Sequence, residues 1–470
     1  MVDLEHTCAY ETKQDFHKQA TSRIIASVLK SKYSDPASGP NASAVQQLVL
    51  QEQRVSASWM KCYRAKGQAL ATFRGHDQDS YLRLPAYLHM LKLANPNTVT
   101  ALETDTDKDG SLRFRYVFVA FGASILGFRC LRRVLIVDGT HLWGNFKGVL
   151  LTVCGQDANF QVFPLAYAVV DAENEDAWTW FFMKVEHLLS DSSNLTIISD
   201  RADSIYTAKE RVFPKAHHGA CIVHLQRNVK SRFKNKGLAT LLSNAAYAYR
   251  QGNFRDAFDK IRDCSPQCAA YLETIGHAHW SHYYFRGERF NIMTSNAAEQ
   301  LNNALKKGRA SPIVELLVFI QRMMSRWFCA RRNKAAKWEG LSTPEVDKLI
   351  TKHKAEGTLS KINHLSNGSC EVIGRLVEKN RVMVHDKKCS STYKEVINPE
   401  GDPDDADLPQ SIVDMVLLPP KSKRPSGRPT GKRIPSKGEL RPNRIKKTVQ
   451  NKCGRCHQSG HNRISCTNPL

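Results

Sequence analysis

Three acidic residues lie in short segments that could place them around a divalent metal. Asp138 follows the apolar residues Leu135–Val137, and Asp200 closes the run LTIISD. Apolar runs of this length predict buried strands, and open α/β sheets place their chemistry at the carboxyl ends of such strands. Glu299 lies in TSNAAEQLN, which reads as helix. The three acids together predict a Mg²⁺ or Mn²⁺ site for metal-assisted phosphoryl transfer.

The spacing of these acids leaves other interpretations open. The chain contains 45 Asp and Glu residues, and polar strand ends or a solvated helix residue would give the same pattern. Asp203 is the alternative to Asp200. Further acids near the predicted strands are Asp157, Asp171 and Glu173.

The order of predicted elements favours an α/β fold of the α+β type, with a mixed sheet. We expect strands at 114–121, 134–137, 148–155, 162–170, 195–199, 218–223, 370–373 and 381–384, and helices at 175–189 and 203–213. The short turn after residue 155 predicts an antiparallel hairpin. By analogy of fold alone, this order is that of a ribonuclease H-like sheet.

The rest of the chain divides by composition. We expect a helical N-terminal region at 1–110, with helices at 14–30 and 44–71 and a polar turn at 105–110. The sheet domain is expected at 111–340, with an all-α insertion at about 227–285 and a helix at 302–337. A further region at 341–395 is followed by a linker and basic tail at 396–450, which is acidic at 399–409, and by a terminal motif at 451–470.

The segments around the acids add a family resemblance. The stretch VDGTHLWGNFKGVLLTVCGQDANFQVFPLAYAVVDAENEDAWTWFF, followed by IISDR, CIVHLQRN and TSNAAEQLN, resembles the transposase domain of plant Mutator-like elements (MULEs) from about residue 1 to about 340. The resemblance implies a ribonuclease H-like fold and a catalytic Asp-Asp-Glu triad of Asp138, Asp200 and Glu299. Asp138 and Asp200 would hold two metals, and Glu299 would complete one. DNA would be cut at the element end, and the freed 3′-hydroxyl would attack target DNA. It also implies self-association.

The same resemblance marks Cys221 and His224 as the Cys-x-x-His motif of the family. One thiol and one imidazole do not complete a zinc site, which needs four ligands. A structural or DNA-contacting role is therefore the preferred interpretation, with catalysis as the alternative.

A second metal motif stands at the C-terminal end of the sequence. Cys453, Cys456, His461 and Cys466 have the spacing of a CCHC zinc knuckle, whose three thiolates and one imidazole suit tetrahedral Zn²⁺. Knuckles of this type bind single-stranded nucleic acid. We therefore expect Zn²⁺ and a single-stranded nucleic acid as possible partners of this segment.

Two further family zinc motifs are represented only by remnants. His6 and Cys8 resemble the closing pair of a zinc DNA-binding domain whose earlier cysteines are absent from this sequence. Cys389 resembles the start of a SWIM finger, but Ser391 stands where the second cysteine belongs and the Cys-x-His half is missing. Neither remnant should hold zinc, so region 341–395 is predicted to be a degenerate SWIM finger.

The C-terminal tail carries much of the positive charge. Residues 419–470 hold fourteen Lys or Arg and one Glu, a net +13 that is more than half of the chain's net charge of +23. Such a tail points to nucleic acid, with a solubilising tail as the alternative. The composition predicts disorder here, and the predicted DNA-binding residues form an AT-hook-like core or basic cluster: Arg424, Gly427, Arg428, Lys432 and Arg433. A simple linker remains the other interpretation.

The composition and the cysteine pattern bear on the expected cellular location of the protein. The N-terminus is polar, and the thirteen cysteines are odd in number and scattered, which predicts reduced thiols inside a cell. No apolar stretch reaches the roughly 18 residues of a membrane span, so no membrane partner is expected. The basic clusters predict nuclear localisation.

Three functions follow as hypotheses. The first is a Mutator-like transposase that binds DNA and catalyses metal-dependent cleavage and strand transfer. The alternative is a catalytically silent, zinc-binding nuclear DNA-binding protein or transcriptional regulator derived from one. The third, a ribonuclease H-type nuclease acting on RNA hybrids, is disfavoured by the long helical insertion and the Cys-x-x-His motif.

Overall fold

A mixed α/β architecture is seen in the computed structural model. It describes residues 20–29, 32, 40–53, 55–74, 77–143, 146–235, 237–338, 343–357, 361–364, 370–373, 379–382, 392–400 and 408–421. The predicted zinc and tail residues lie outside these ranges: His6, Cys8, Cys389, Arg424, Gly427, Arg428, Lys432, Arg433, Cys453, Cys456, His461 and Cys466.

An eight-stranded mixed sheet forms the centre of the fold. Its strands are β1 (Val99–Thr106), β2 (Leu112–Ala120), β3 (Val134–His141), β4 (Val149–Gln156), β5 (Val162–Val170), β6 (Thr196–Ser199), β7 (His217–Ala220) and the short β11 (Leu417–Leu418). The order is β1-β2-β5-β4-β3-β6-β7, with β11 on β2. Neighbours from β1 to β3 are antiparallel, whereas β6 is parallel to both β3 and β7.

The described residues also form sixteen α-helices. In chain order they are α1 (Ser22–Val28), α2 (Ala42–Gln53), α3 (Trp59–Arg74), α4 (Asp77–Ala94), α5 (Gly122–Phe128), α6 (Glu175–Leu189), α7 (Asp203–Val212), α8 (Ile222–Phe233), α9 (Leu238–Ala246), α10 (Gln251–Cys264), α11 (Pro266–Ile275), α12 (His277–Trp280), α13 (Asn296–Ala304), α14 (Ile313–Ala336), α15 (Pro344–Gly357) and α16 (Gln410–Val413). A 3₁₀ turn at Gly308–Ala310 precedes α14.

The core explains why these segments fold as they do. Residues Val134–Val137 of β3 and all of β5 are buried, as expected of central strands covered on both faces. Helix α6 begins at the cap residue Asn174, whose side chain accepts a hydrogen bond from Ala177 N–H at 2.8 Å. Its buried face, from Trp178 to Leu189, packs on the sheet at helical spacing.

Helices α8 to α12 fill the space between β7 and the helix that carries Glu299. They enclose a second apolar cluster, in which Phe254, Phe258 and Trp280 pack with their ring centroids 5.6–6.2 Å apart. Pro266 at the first position of α11 and Ser265 as its cap define that boundary in the sequence. This part of the chain therefore has a core of its own.

The N-terminal prediction was partly wrong. Residues Val99–Thr106 form an edge strand rather than helix, so Asp105 lies in β1 and not in a turn. The β-branched Val99, Thr100, Thr104 and Thr106 favour extended backbone, and the Asp107–Gly110 turn folds β1 onto β2. The helix predicted at 14–30 is described only from Ser22, and the one at 44–71 is two helices, α2 and α3.

Two further boundaries needed correction. The strand predicted at 218–223 ends at Ala220, because Ile222 starts α8. The helix predicted at 302–337 is interrupted: α13 ends at Ala304, and Pro312 caps the start of α14. The predicted strand at Cys370–Ile373 (β9) is confirmed. It pairs with β8 (Lys361–His364) and with β10 (Lys379–Val382), and β10 begins two residues before the predicted 381.

The predicted linker after residue 396 was wrong in part. Ile397 and Leu417 are buried in the main core, and Leu417 pairs with Leu112 of β2. Tyr393, just before them, is buried between Phe163 and Phe328. Apolar residues spaced singly among acids and prolines carry no periodic signal, which is why the sequence pattern hid this packing.

In the part of the chain that the structure describes, no helix combines the length and apolar character needed to cross a membrane.

Candidate active site

Asp138 and Asp200 lie at the same edge of the sheet because β3 and β6 are parallel neighbours. Ile136 pairs with Ile198 in that ladder, so each aspartate lies two residues beyond a paired isoleucine. Asp138 remains within β3, whose last residues pair only with β4, whereas Asp200 follows the end of β6. The predicted convergence of these two acids at one sheet edge agrees with this register.

Asp138 is held by a short polar network. Asn302 Nδ2 donates to Asp138 Oδ2 at 2.7 Å, and Thr152 Oγ1 donates to the Asp138 carbonyl at 3.2 Å. Burial raises the pKa of Asp138 to about 7; the Asn302 hydrogen bond opposes this rise, and the charges of Asp200 and Glu173 add to it. The Asp138 carboxyl group therefore lies in a desolvated, acidic environment.

Glu299 reaches the same region from α13. Ala298, Leu301 and Asn302 of this helix are buried against the sheet, which leaves Glu299 at the edge of the contact. Its Oε1 lies 3.7 Å from His224 Nε2 and 3.6 Å from Arg227 Nη1. Within the described residues this buried oxygen accepts no hydrogen bond, so it has acceptor capacity for a further ligand.

Cys221 and His224 connect the end of β7 to the start of α13. Ser295 N–H donates to Cys221 Sγ at 3.2 Å, and Ser295 Oγ lies 3.4 Å from His224 Nδ1. Desolvation acts to raise the pKa of Cys221, but hydrogen bonds from His224 and Ser295 outweigh it and lower that pKa. Cys221 and His224 therefore stabilise the start of the helix that carries Glu299, which agrees with the structural role preferred for this motif.

A buried arginine completes the surroundings of Asp138. Arg309 donates to Thr140 Oγ1, two residues after Asp138, and its guanidinium carbon lies 4.5 Å from the centroid of the Trp143 ring. Burial lowers the pKa of Arg309, while the Asp138 charge raises it. Arg309 thus places positive charge near Asp138, and Arg227 places it near Glu299.

The other candidate acids separate clearly. Glu173 interacts electrostatically with both Asp138 and Asp200. Asp157 lies instead at the β4–β5 turn, where it accepts a hydrogen bond from Tyr393 at 2.8 Å. Asp171, Glu173 and Asp203 are all exposed, so the electrostatic coupling to Asp138 and Asp200 is what distinguishes Glu173. Asp203 is the first residue of α7, whereas Asp200 lies in register with Asp138. The geometry therefore favours Asp200 over Asp203 as the second acid.

The donor chemistry of this site suits a hard divalent cation. Asp138, Asp200 and Glu299 offer carboxylate oxygens, the ligands that Mg²⁺ and Mn²⁺ prefer, and Glu299 Oε1 is a buried acceptor with no hydrogen bond in the described structure. No group of three or more His, Cys, Asp or Glu side chains among the described residues already has the mutual geometry of a metal centre.

Residues 134–228, which span β3 to the middle of α8, match the family model of the MULE transposase domain. The chain contains a MULE transposase domain. The match includes Asp138, Asp200, Cys221 and His224, and it ends before α13 and Glu299. Over these residues the chain is thus similar to transposases of the MULE type.

Three curated proteins are similar to parts of this chain. Protein FAR1-RELATED SEQUENCE 6 of Arabidopsis thaliana is 25% identical over 31% of this chain and 20% of its own length. The transposase for insertion sequence element IS905 of Lactococcus lactis is 23% identical over 37% of this chain and 47% of its own. The transposase for insertion sequence element IS1201 of Lactobacillus helveticus is 21% identical over 30% and 40%. The matched regions span less than half of each relative.

Sequence reasoning missed three side chains that surround the acids of this site. Asn302 hydrogen-bonds Asp138, Arg227 faces Glu299, and Arg309 contacts Thr140. Two of them carried a signal: Asn302 lies three residues after Glu299, and Arg227 three after His224, so each shares a helix face with a predicted site residue. Arg309 lies in an irregular turn and had no such periodic signal.

The raised pKa of Asp138 predicts a pH-dependent stability of the metal-free protein. The unfolded carboxyl titrates near its ordinary value of 3.8, and the folded one near 7. Between these values the folded state binds the extra proton, so this group lowers the stability as pH rises from about 4 to 7. Asp138→Asn should remove this loss.

Thermal unfolding midpoints in EDTA at pH 5 and pH 8 measure the effect. Asp138→Asn should gain stability relative to wild type on going from pH 5 to pH 8. An unchanged difference between the two proteins would mean that Asp138 titrates as an ordinary surface carboxyl.

Proposed function

We propose that this protein binds DNA and catalyses metal-dependent cleavage and strand transfer of DNA through Asp138, Asp200 and Glu299. The observation that carries the proposal is the common edge of parallel strands β3 and β6, where the two aspartates lie in register. Glu299 lies 3.7 Å from His224, whose pKa is raised first by its hydrogen bond with Cys221 and further by the charges of Asp200 and Glu299.

The strand order supports a ribonuclease H-like assignment of the central sheet. Strands β5, β4 and β3 are antiparallel neighbours, and β6 and β7 extend the sheet in parallel from β3. In this arrangement β3 is the central strand, and an acid on it lies beside an acid after β6. Strands β1, β2 and β11 extend the opposite side.

Divalent cations would stabilise the charge that develops on the attacked phosphate and activate the attacking oxygen. The protein's own residues would prepare the site for them. Asn302 fixes the orientation of the Asp138 carboxylate at 2.7 Å. His224 Nε2 and Arg227 Nη1 lie 3.7 and 3.6 Å from Glu299 Oε1, and the Glu299 carboxylate would supply a further oxygen ligand to the cation.

Basic residues around the acids suit the DNA backbone. Arg227 is half exposed, and Arg201, directly after Asp200, bonds the Tyr271 hydroxyl at 2.7 Å. Arginine binds phosphate in a two-pronged geometry and carries no sequence preference of its own through that contact. These residues would hold a phosphodiester near the acids, with affinity that falls as salt rises.

Supercoiled plasmid tests this proposal directly. Purified protein with Mn²⁺ should convert supercoiled plasmid to the nicked form, and EDTA should stop the reaction. Nicking by Asp138→Asn at the wild-type rate would point to a contaminating nuclease and contradict the assigned site.

The same assay separates the alternative function. Binding of plasmid in a gel-shift assay without any nicking by wild type would favour the catalytically silent, transposase-derived DNA-binding regulator. Nicking restricted to RNA–DNA hybrids would favour the ribonuclease H-type nuclease.

The remaining parts of the proposal concern the tail and the assembly. Cys453, Cys456, His461 and Cys466 would bind Zn²⁺ as a knuckle for single-stranded nucleic acid, and the basic cluster from Arg424 to Arg433 would add DNA affinity. Self-association and a nuclear location complete the proposed function.

A further inference from the structure

Glu173 has a defined place beside Asp138 that the proposed triad does not use. It lies in the loop between β5 and α6, directly before the cap residue Asn174, which fixes the start of α6. A Cβ atom added to Gly139 would lie 2.7 Å from Glu173 Oε1 and 2.9 Å from Oε2. The Glu173 carboxylate therefore lies over the backbone of the residue that follows Asp138.

The Glu173 carboxylate can lie this close to the β3 backbone only because Gly139 has no side chain. Every other residue type would put a Cβ into the space that the Glu173 carboxylate occupies. Gly139 lies inside β3, where glycine weakens a strand and often marks a close approach. Room for the carboxylate is thus a physical reason for a glycine directly after Asp138.

The charges around Glu173 are of one sign. Glu173 is exposed as a residue, but partial desolvation of its carboxylate and then the charge of Asp200 raise its pKa, and the charge of Glu173 in turn raises the pKa of Asp138. In the described part of the chain, no ion pair with Lys, Arg or His involves Glu173. Three carboxylates that repel one another at one edge favour a bound cation over the empty state.

We propose that Glu173 is a fourth carboxylate of the divalent-cation site, and that Gly139 gives it access to the cation held by Asp138 and Asp200. This proposal rests on the proposed function, whose metal site it completes. A fourth acid adds negative charge and oxygen ligands, the two factors that set cation affinity at such sites.

Binding of Mn²⁺ to the full chain, measured by isothermal titration calorimetry, tests the role without a catalytic readout. Glu173→Gln keeps the size of the side chain and removes its charge, and we expect the dissociation constant to rise about tenfold. Gly139→Ala should cause a similar loss, because its methyl group displaces the Glu173 carboxylate at the end of a flexible side chain. Asp171→Asn changes an acid of the same loop whose charge is not among those that raise the pKa of Asp138, and it should bind like wild type.

A double variant identifies the route by which Gly139 acts. If its methyl group acts through Glu173, then Glu173→Gln combined with Gly139→Ala should bind Mn²⁺ no more weakly than either single variant. Additive losses would mean that Gly139→Ala disturbs Asp138 directly. Glu173→Asp should recover part of the lost affinity. Circular dichroism and thermal midpoints of every variant report whether the fold is kept.

The outcomes distinguish the two proposals. Wild-type Mn²⁺ affinity in a folded Glu173→Gln variant, with binding lost in Asp138→Asn, would overturn the role of Glu173 and leave the three-acid site intact. Equal Mn²⁺ binding by wild type and Asp138→Asn, or no binding by wild type, would overturn the proposed function and the Glu173 assignment together.

Discussion

Asp138→Asn should lower the rate of Mn²⁺-dependent DNA nicking by about a thousandfold, the equivalent of about 4 kcal/mol of transition-state stabilisation. The amide retains the shape of the side chain but not the charge that a cation needs. Asp138 is also the acid that Asn302 orients and that Asp200 and Glu173 face. Asp200→Asn and Glu299→Gln should cause losses of the same order.

Asp203→Asn is the matched control for this series. Asp203 is three residues from Asp200, but it is exposed at the start of α7 and out of register with Asp138. Its variant should nick DNA at a rate within about twofold of wild type. Single-turnover rates at saturating Mn²⁺ measure all four variants, and a severe loss in Asp203→Asn with none in Asp200→Asn would reverse the assignment of the second acid.

Tyr393→Ala should lower the free energy of unfolding by about 3–5 kcal/mol, the range for removal of a buried aromatic side chain. Tyr393 is 1% exposed, and its ring centroid lies 5.5 Å from that of Phe163 and 5.1 Å from that of Phe328. Its hydroxyl donates to Asp157 at 2.8 Å and accepts from Arg331 at 2.9 Å. The substitution leaves a cavity and removes both hydrogen bonds.

Urea denaturation of the full chain measures this loss, and Val396→Ala provides the control. Val396 lies on the same segment but is 53% exposed, so its substitution should change the stability by less than about 0.5 kcal/mol. A loss below about 1 kcal/mol for Tyr393→Ala would mean that residues 392–400 do not pack on the sheet as the structure has them.

The central strands could be predicted because their apolar runs have one interpretation. Residues 162–170 and 175–189 fold with the predicted bounds, since a long buried strand and an amphipathic helix each leave a clear pattern. The edge position of Asp138 and Asp200 followed from the same runs. The pairing of β3 with β6, which puts the two acids in register, depends on tertiary structure.

Other features could not be read from local sequence because distant residues create them. Asn302 reaches Asp138 from a helix 164 positions later in the chain, and Tyr393 completes an aromatic cluster with Phe163 and Phe328. The edge strand β1 was hidden because its residues are mostly half-buried or exposed, so hydrophobic alternation was weak. Glu173 stood among other acids in the sequence, and only the space over Gly139 distinguishes it.

Anomalous diffraction from crystals of the protein soaked in MnCl₂ tests the central claim most directly. The account predicts manganese peaks between Asp138, Asp200 and Glu299, with two ions about 4 Å apart when a DNA phosphate is bound. A manganese-saturated crystal with no peak at this edge of the sheet, or with peaks only at other carboxylates, would contradict it.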